Sequence, residues 1–283
     1  MQIIKDFEKP FSLKTDGQLQ IFFLGVGSAF AQKHNQLNLL LIKGDKHILV
    51  DFGMTGPRAL AETAGLKPTD IDVILPTHSH ADHIGGIECL ALMNRYVGQR
   101  FMGKPKTKMI INQEYQRVLW THSLQGGLEW NEKDTDTSQK LTFSDFFEVI
   151  RPDWKTMQPR ETYTVKHGDI KIELFRTNHI PEQSGTWESS FISYGLFVDD
   201  HVFISMDTKF DKELIDIYAD RSSIMFHDVQ FFPGAVHAHL EDLRTLPKKI
   251  KDKMHLFHYA DNYEEFDISE FAGWTKQGVV YEF

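Results

Sequence analysis

Within six residues the chain places four side chains able to bind metal, in the run His78-Ser79-His80-Ala81-Asp82-His83. Imidazole nitrogens suit zinc and other borderline divalent cations, and a carboxylate adds an anionic oxygen that helps hold a second ion. In an extended turn the side chains at 78, 80 and 82 fall on one side, while His83, at the start of a helix, can face the other way. One short loop can then serve two adjacent metals. A loop that merely capped the next helix would use Asp82 and have no need of three histidines. Further candidates also follow apolar runs: Asp51 in Val50-Asp51-Phe52-Gly53, His179 in Thr177-Asn178-His179-Ile180-Pro181, Asp207 in Ser205-Met206-Asp207-Thr208, the pair His227-Asp228 after Phe226, and His258 in Leu256-Phe257-His258-Tyr259.

Such positions require strands that stop where the chemistry begins. Apolar runs at residues 19–26, 37–42, 48–52 and 71–75 predict strands, the last running into Pro76-Thr77-His78. Residues 57–64 predict a helix that opens on Pro57 and stops at Gly65, a residue suited to the left-handed C-terminal position, and residues 84–96 have helical spacing. In the second half, strands are expected at 170–177, 191–198, 201–206, 222–226 and 254–257, with helices at 209–218 and 240–246. Residues 120–143, with Gly126-Gly127 and the polar run 131–140, read as a long exposed loop. No repeat or low-complexity linker divides the chain, so a single domain over 1–283 is expected.

The chain has 283 residues, 31 Lys plus Arg against 40 Asp plus Glu, 14 histidines and one cysteine, Cys89. Its net charge of −9 repels polyanions, and the basic stretches Lys104-Pro105-Lys106-Thr107-Lys108 and 248–253 are read as solvated faces. A single cysteine forms no internal disulfide, the N-terminus lacks the apolar run of a secretion signal, and no stretch approaches the roughly 20 apolar residues of a membrane span. The expectations are a cytoplasmic location, with neither a membrane nor a long nucleic acid as partner.

The pattern His-x-His-x-Asp-His at a strand end, followed in order by His179, Asp207 and His258, resembles the metallo-β-lactamase fold superfamily, and the resemblance runs over nearly the whole chain. It implies an α/β fold, a four-layer αββα sandwich with a dinuclear metal site at the strand ends. It further implies one ion held by His78, His80, His179 and Asp207 and a second held by Asp82, His83, Asp207 and His258. Asp51 would stand behind them and orient ligands, although a turn at Asp51-Phe52-Gly53 also explains that aspartate. The implied cofactors are two divalent ions, zinc being favoured and manganese or iron also compatible with the carboxylate-rich second site. Such ions bring the pKa of shared water toward neutrality and stabilise charge on a phosphoryl or carbonyl oxygen. The superfamily's usual Gly before the bridging aspartate is Met206 here.

Three features select a branch. Phe23-Leu24-Gly25-Val26-Gly27-Ser28 looks like the Leu-Gly-x-Gly-Ser/Thr opening of the ribonuclease Z-like phosphodiesterases, though a strand and a Gly turn are common elsewhere. In that branch a His-acid pair follows a strand, and a later histidine opens a helix about twenty residues before the final ligand. His237 precedes His258 by 21 residues and takes that place, with His239 as the alternative and a helix-capping role for both as the plain one. The implied task is to give a proton or hydrogen bond to the phosphoryl transition state, and Asp82 is counted with His237 as catalytic. Finally, only 28 residues separate His179 from Asp207, too few for the basic arm of transfer-RNA-processing relatives. The resemblance therefore implies a phosphodiesterase for small or cyclic nucleotides, acting through a metal-bridging hydroxide, and a homodimer, as is common among such enzymes. A thioester or lactone hydrolase and an RNA-processing endonuclease of ribonuclease Z type are the alternatives. Trp187, in the loop after His179, is placed either to stack on a base or to pack on the rim, and residues 120–130 form a second candidate rim.

Overall fold

The computed structural model describes residues 1–132 and 139–283. In chain order its strands begin with β1 (Gln2–Ile4), β2 (Gln20–Gly25), β3 (Asn38–Lys43), β4 (Lys46–Val50), β5 (Val73–Leu75), β6 (Lys108–Ile110) and β7 (Glu148–Ile150). They continue with β8 (Asp153–Thr156), β9 (Thr162–His167), β10 (Ile170–Arg176), β11 (Tyr194–Val198), β12 (Val202–Ile204), β13 (Ile224–Asp228), β14 (Met254–Phe257), β15 (Gly273–Trp274) and β16 (Val279–Glu282). Two eight-stranded sheets result, ordered β1-β16-β2-β3-β4-β5-β6-β7 and β15-β14-β13-β12-β11-β10-β9-β8. Each sheet joins antiparallel hairpins to a parallel block, β4 to β7 in one and β12 to β15 in the other.

The central strands are near-continuous apolar runs with almost no exposed residue, the pattern of sheets covered on both faces. Their inner faces meet where Phe23 of β2 lies 5.0 Å from Phe226 of β13, and Tyr281 of β16 lies 5.1 Å from the same ring. Helices cover the outer faces: the helix Lys212–Ala219 sets Tyr218 4.6 Å from Phe175 and 5.6 Å from Phe203. This is the expected four-layer αββα sandwich.

The expected loop at 120–143 is corrected in its first part. Residues Trp120–Leu124 and Gln125–Leu128 prolong the helix Gln113–Leu119, whose first turn is capped by Asn112. Of the glycine pair, only Gly127 is closely approached: a Cβ there would fall 2.1 Å from Glu88 Oε2, whereas one on Gly126 would meet nothing within 4 Å. Residues 133–138 of the polar run lie outside the described residues. Among the described residues no helix is long and apolar enough to cross a membrane.

Candidate metal centre

The candidate ligands sit where strands end abruptly. Asp51 follows β4 at φ 58°, Met206 follows β12 at φ 48° and precedes Asp207, and His258 follows β14 at φ 59°. Left-handed backbone costs a non-glycine residue about 1 kcal/mol or more, so three such residues at one end of two sheets mark a place where geometry outweighs local comfort. Met206 thus adopts the conformation for which a glycine is usual, and its fully buried side chain packs in the core. The departure from the superfamily pattern is local, and Asp207 is held in place all the same.

Two groups of four donors converge, each with its ligand atoms within 4.8 Å of one another: His78, His80, His179 and Asp207, and Asp82, His83, Asp207 and His258. Asp207 belongs to both. Its Oδ2 lies 3.6 Å from His78 Nε2, 3.6 Å from His179 Nε2 and 3.2 Å from His83 Nε2, and its Oδ1 lies 3.6 Å from His258 Nε2. Asp82 Oδ2 is 3.3 Å from both His83 Nε2 and His258 Nε2. The loop therefore divides between His80 and Asp82, because the helix Ala81–Ile84 begins there; Asp82 joins His83 rather than lying with 78 and 80 as strict alternation implied.

On His83 and His179 the ring nitrogen facing away from the centre is tied to an acceptor, which fixes orientation and frees the inner nitrogen as a lone-pair donor. His83 Nδ1 donates to Asp51 Oδ2 at 2.6 Å, and Asp51 also accepts from Thr77 N and Thr77 Oγ1, each at 2.7 Å. His179 Nδ1 donates to the Val236 carbonyl at 2.8 Å, and His258 Nδ1 lies 3.4 Å from Asp228 Oδ1. Both carboxylate oxygens of Asp51 are thus engaged, one by Thr77 N and the other by Thr77 Oγ1 and His83. Ser190 Oγ accepts from His179 N at 2.9 Å, so one hydroxyl of the 181–190 loop holds the backbone of His179.

The donor set fits divalent cations. His78 Nε2, His83 Nε2 and both oxygens of Asp207 are buried and have no hydrogen-bond partner among the described residues, a costly arrangement for four polar atoms unless a cation satisfies them. Charge balance points the same way. Burial disfavours a charged His83, but Asp207, Asp82 and Asp51 outweigh it and hold its pKa well above the usual imidazole value. Burial likewise opposes charge on His258, yet Asp207, Asp228 and Asp82 push its pKa up to about 10. Burial works against the Asp207 carboxylate too, and the surrounding histidines hold it well below the ordinary range. The pocket is anionic at its heart. His78 and His179 go the other way, held down by burial, His179 to about 4, which keeps them neutral as metal ligands must be.

His237 joins a third group with Asp207, Asp228 and His258. Its Nδ1 is 2.7 Å from Asp228 Oδ2 and 3.9 Å from Asp207 Oδ2. His239 belongs to none of the groups; it stands at the N-terminal boundary of the helix Leu240–Arg244. Asp228, noted in the sequence only as half of the pair His227-Asp228 and given no role there, is the acid that reaches the centre. It is fully buried at the end of β13, after the same kind of apolar run that precedes Asp207, and that signal was available. Its neighbour His227 donates Nδ1–H to the Asp228 carbonyl at 2.8 Å and stays outside the groups. Trp187 is 5% exposed and packs with its ring centroid 6.0 Å from the guanidinium carbons of Arg160 and Arg176, so it is a packing residue and not an open stacking face. Beside the centre opens a cleft of about 760 Å³, mostly apolar, bordered by His237 and His258.

A family model described as "Anti-Pycsar protein Apyc1" matches residues 19–281. A protein of that name from Bacillus phage BSP38 is 38% identical over 253 residues, covering 87% of this chain and 91% of its own. Another, from Paenibacillus sp. (strain J14), is 34% identical over 251 residues, with 88% and 92% covered. Among solved structures, the metallo-β-lactamase fold protein YhfI from Bacillus subtilis superposes with a TM-score of 0.66 at 18% identity, covering 94% of this chain and all of that one. A diphosphatase of the PhnP family gives 0.61 at 16% identity over 94% and 98%, and the short form of human tRNase Z gives 0.59 at 15% over 93% and 98%. At such identities these structures establish the shared fold.

Proposed function

Because the chain belongs to the family of the anti-Pycsar protein Apyc1, we propose that it is a metal-dependent phosphodiesterase that hydrolyses small cyclic nucleotides. His78, His80, His179 and Asp207 would hold one divalent ion, and Asp82, His83, Asp207 and His258 a second, zinc being the first choice for this imidazole-rich set. When bound, the pair supplies Lewis acidity, which lowers the pKa of water and neutralises charge on phosphoryl oxygens.

The observation that carries the reading is the His237–Asp228 pair beside the shared Asp207. Asp228 accepts from His237 Nδ1, so the proton available for chemistry sits on Nε2. The buried carboxylate stabilises the imidazolium, which hands that proton to the oxygen departing from phosphorus. A sugar alkoxide needs such help. A thiolate, whose conjugate acid has a pKa of roughly 8.5, leaves without it, so a dedicated proton donor favours an oxygen ester over a thioester. Only β11 and β12 lie between His179 and Asp207, so no extended arm is available there to hold a transfer RNA. The cleft of about 760 Å³ suits a mononucleotide.

The test is metal content and turnover together. His80→Ala and Asp207→Ala should each deplete bound metal and abolish hydrolysis of cyclic nucleotides and of bis(p-nitrophenyl) phosphate. Retained turnover in a metal-free variant would sink the reading.

A further inference from the structure

Resting on that reading, we propose that the cleft beside the metal centre is a base clamp, with Phe30 and Phe232 as opposed stacking faces that grip the planar heterocycle of a cyclic nucleotide. Phe30 is 89% exposed and Phe232 59% exposed, and they stand on different loops lining one cleft with His237 and His258. Large apolar rings left in water around a concave site mark a surface that a ligand covers. Deeper in, Phe231 stacks on Phe266 with centroids 4.1 Å apart and planes 12° from parallel, which supplies a fixed aromatic wall.

The two exposed rings are held in register with the chemistry. The Phe30 loop is fastened to the segment that follows His258: Ser28 N donates to the Tyr259 carbonyl at 3.1 Å, and Lys33 N to Asp261 Oδ1 at 2.9 Å. The Phe232 loop is fastened to the segment that carries His237: Gln230 N donates to the Ala238 carbonyl at 2.8 Å, while Gln230 Nε2 donates to the Phe232 carbonyl at 2.8 Å and to that of Gly234. A base held between these rings therefore has its phosphate placed by the same two loops that place His237 and His258. Stacking on aromatic rings is a direct way to hold a base in a cleft whose lining is otherwise apolar.

The test uses the full-length, metal-loaded chain with Phe30→Ala, Phe232→Ala and the double variant, and Phe30→Leu to keep apolar bulk without a ring. Each alanine variant should lower kcat/KM for adenosine 3′,5′-cyclic phosphate about tenfold, chiefly through KM, and leave a base-free ribose 3′,5′-cyclic phosphate within twofold of wild type. Calorimetric affinity for the hydrolysis-resistant cyclic phosphorothioate of adenosine should fall by the same factor. Phe30→Leu should behave like Phe30→Ala. Equal losses on the two substrates, or no loss on either, overturn the clamp, as does a loss that tracks a change in oligomeric mass and ignores the base. A wild type that hydrolyses no cyclic nucleotide overturns the proposed reaction and the clamp with it, whereas normal hydrolysis by unaffected variants overturns the clamp alone.

Discussion

Replacing Asp228 with asparagine removes one negative charge and almost no volume. The carboxylate is fully buried, accepts from Thr208 N at 3.0 Å and meets His237 Nδ1 at 2.7 Å. Asparagine can still accept from Thr208, so the fold should persist. What it cannot do is stabilise a protonated His237. A hydrogen bond to a charged group contributes about 1.5–3 kcal/mol, which corresponds to roughly 10- to 150-fold in rate when it is expressed in the transition state. Asp228→Asn should therefore lower kcat by one to two orders of magnitude at saturating zinc or manganese. Because Asp228 Oδ1 also lies 3.4 Å from His258 Nδ1, metal affinity should weaken too, which is why the rate must be taken at saturation. The assay is steady-state hydrolysis of a cyclic nucleotide, with metal counted by mass spectrometry on the same sample. If His237 and Asp228 act as one unit, the double variant with His237→Ala should be no slower than His237→Ala alone. A wild-type kcat in Asp228→Asn, or losses that multiply in the double variant, would refute the proton-donor argument.

Other perturbations read separate parts of the account. Met206→Gly relieves a left-handed backbone worth about 1 kcal/mol but deletes a fully buried side chain worth about 2–4 kcal/mol, so the urea midpoint should fall with metal stoichiometry unchanged; a more stable variant would show that this packing contributes nothing. Asp51→Ala takes away the acceptor of His83 Nδ1 and should weaken metal binding about 10- to 100-fold on titration; unchanged affinity would remove the orienting role. Burial holds His255 down at about 4, below the roughly 6.5 of an unfolded chain, so protons favour the unfolded state: the stability is complete above about pH 6.5 and is lost as pH falls from there toward 4. At pH 4.5 this costs about 2.5 kcal/mol, and His255→Leu, compared with wild type by urea unfolding at pH 7 and 4.5, should lose that much less; equal losses would contradict it.

Strand ends were legible because apolar runs stopping at Asp or His report both burial and function, and the runs before Asp51, His78, Asp207 and His258 do so plainly. Asp228 fits the same description, but the pair His227-Asp228 does not say which of its two members turns to the centre, and only the register of β13 shows that the acid reaches the site. The helix that continues through Leu128 was hidden by Gly126-Gly127, which reads as a turn, although both residues are helical and Gly127 lies against Glu88. Trp187 was ambiguous because aromatic rings stack equally well on bases and on guanidinium groups, and two buried arginines, invisible in local sequence, decide it. Residue spacing does not separate His237 from His239; in the structure His237 lies against Asp228 while His239 stands at the boundary of the helix Leu240–Arg244.

The central claim is the reaction itself, and one measurement bears on it most directly: turnover of a panel of cyclic nucleotides by the zinc- or manganese-loaded protein, with Asp207→Ala and a lactone as controls. The account predicts hydrolysis of cyclic nucleotides to linear monophosphates by the wild type and none by Asp207→Ala. Cleavage of the lactone with every cyclic nucleotide left intact would contradict it.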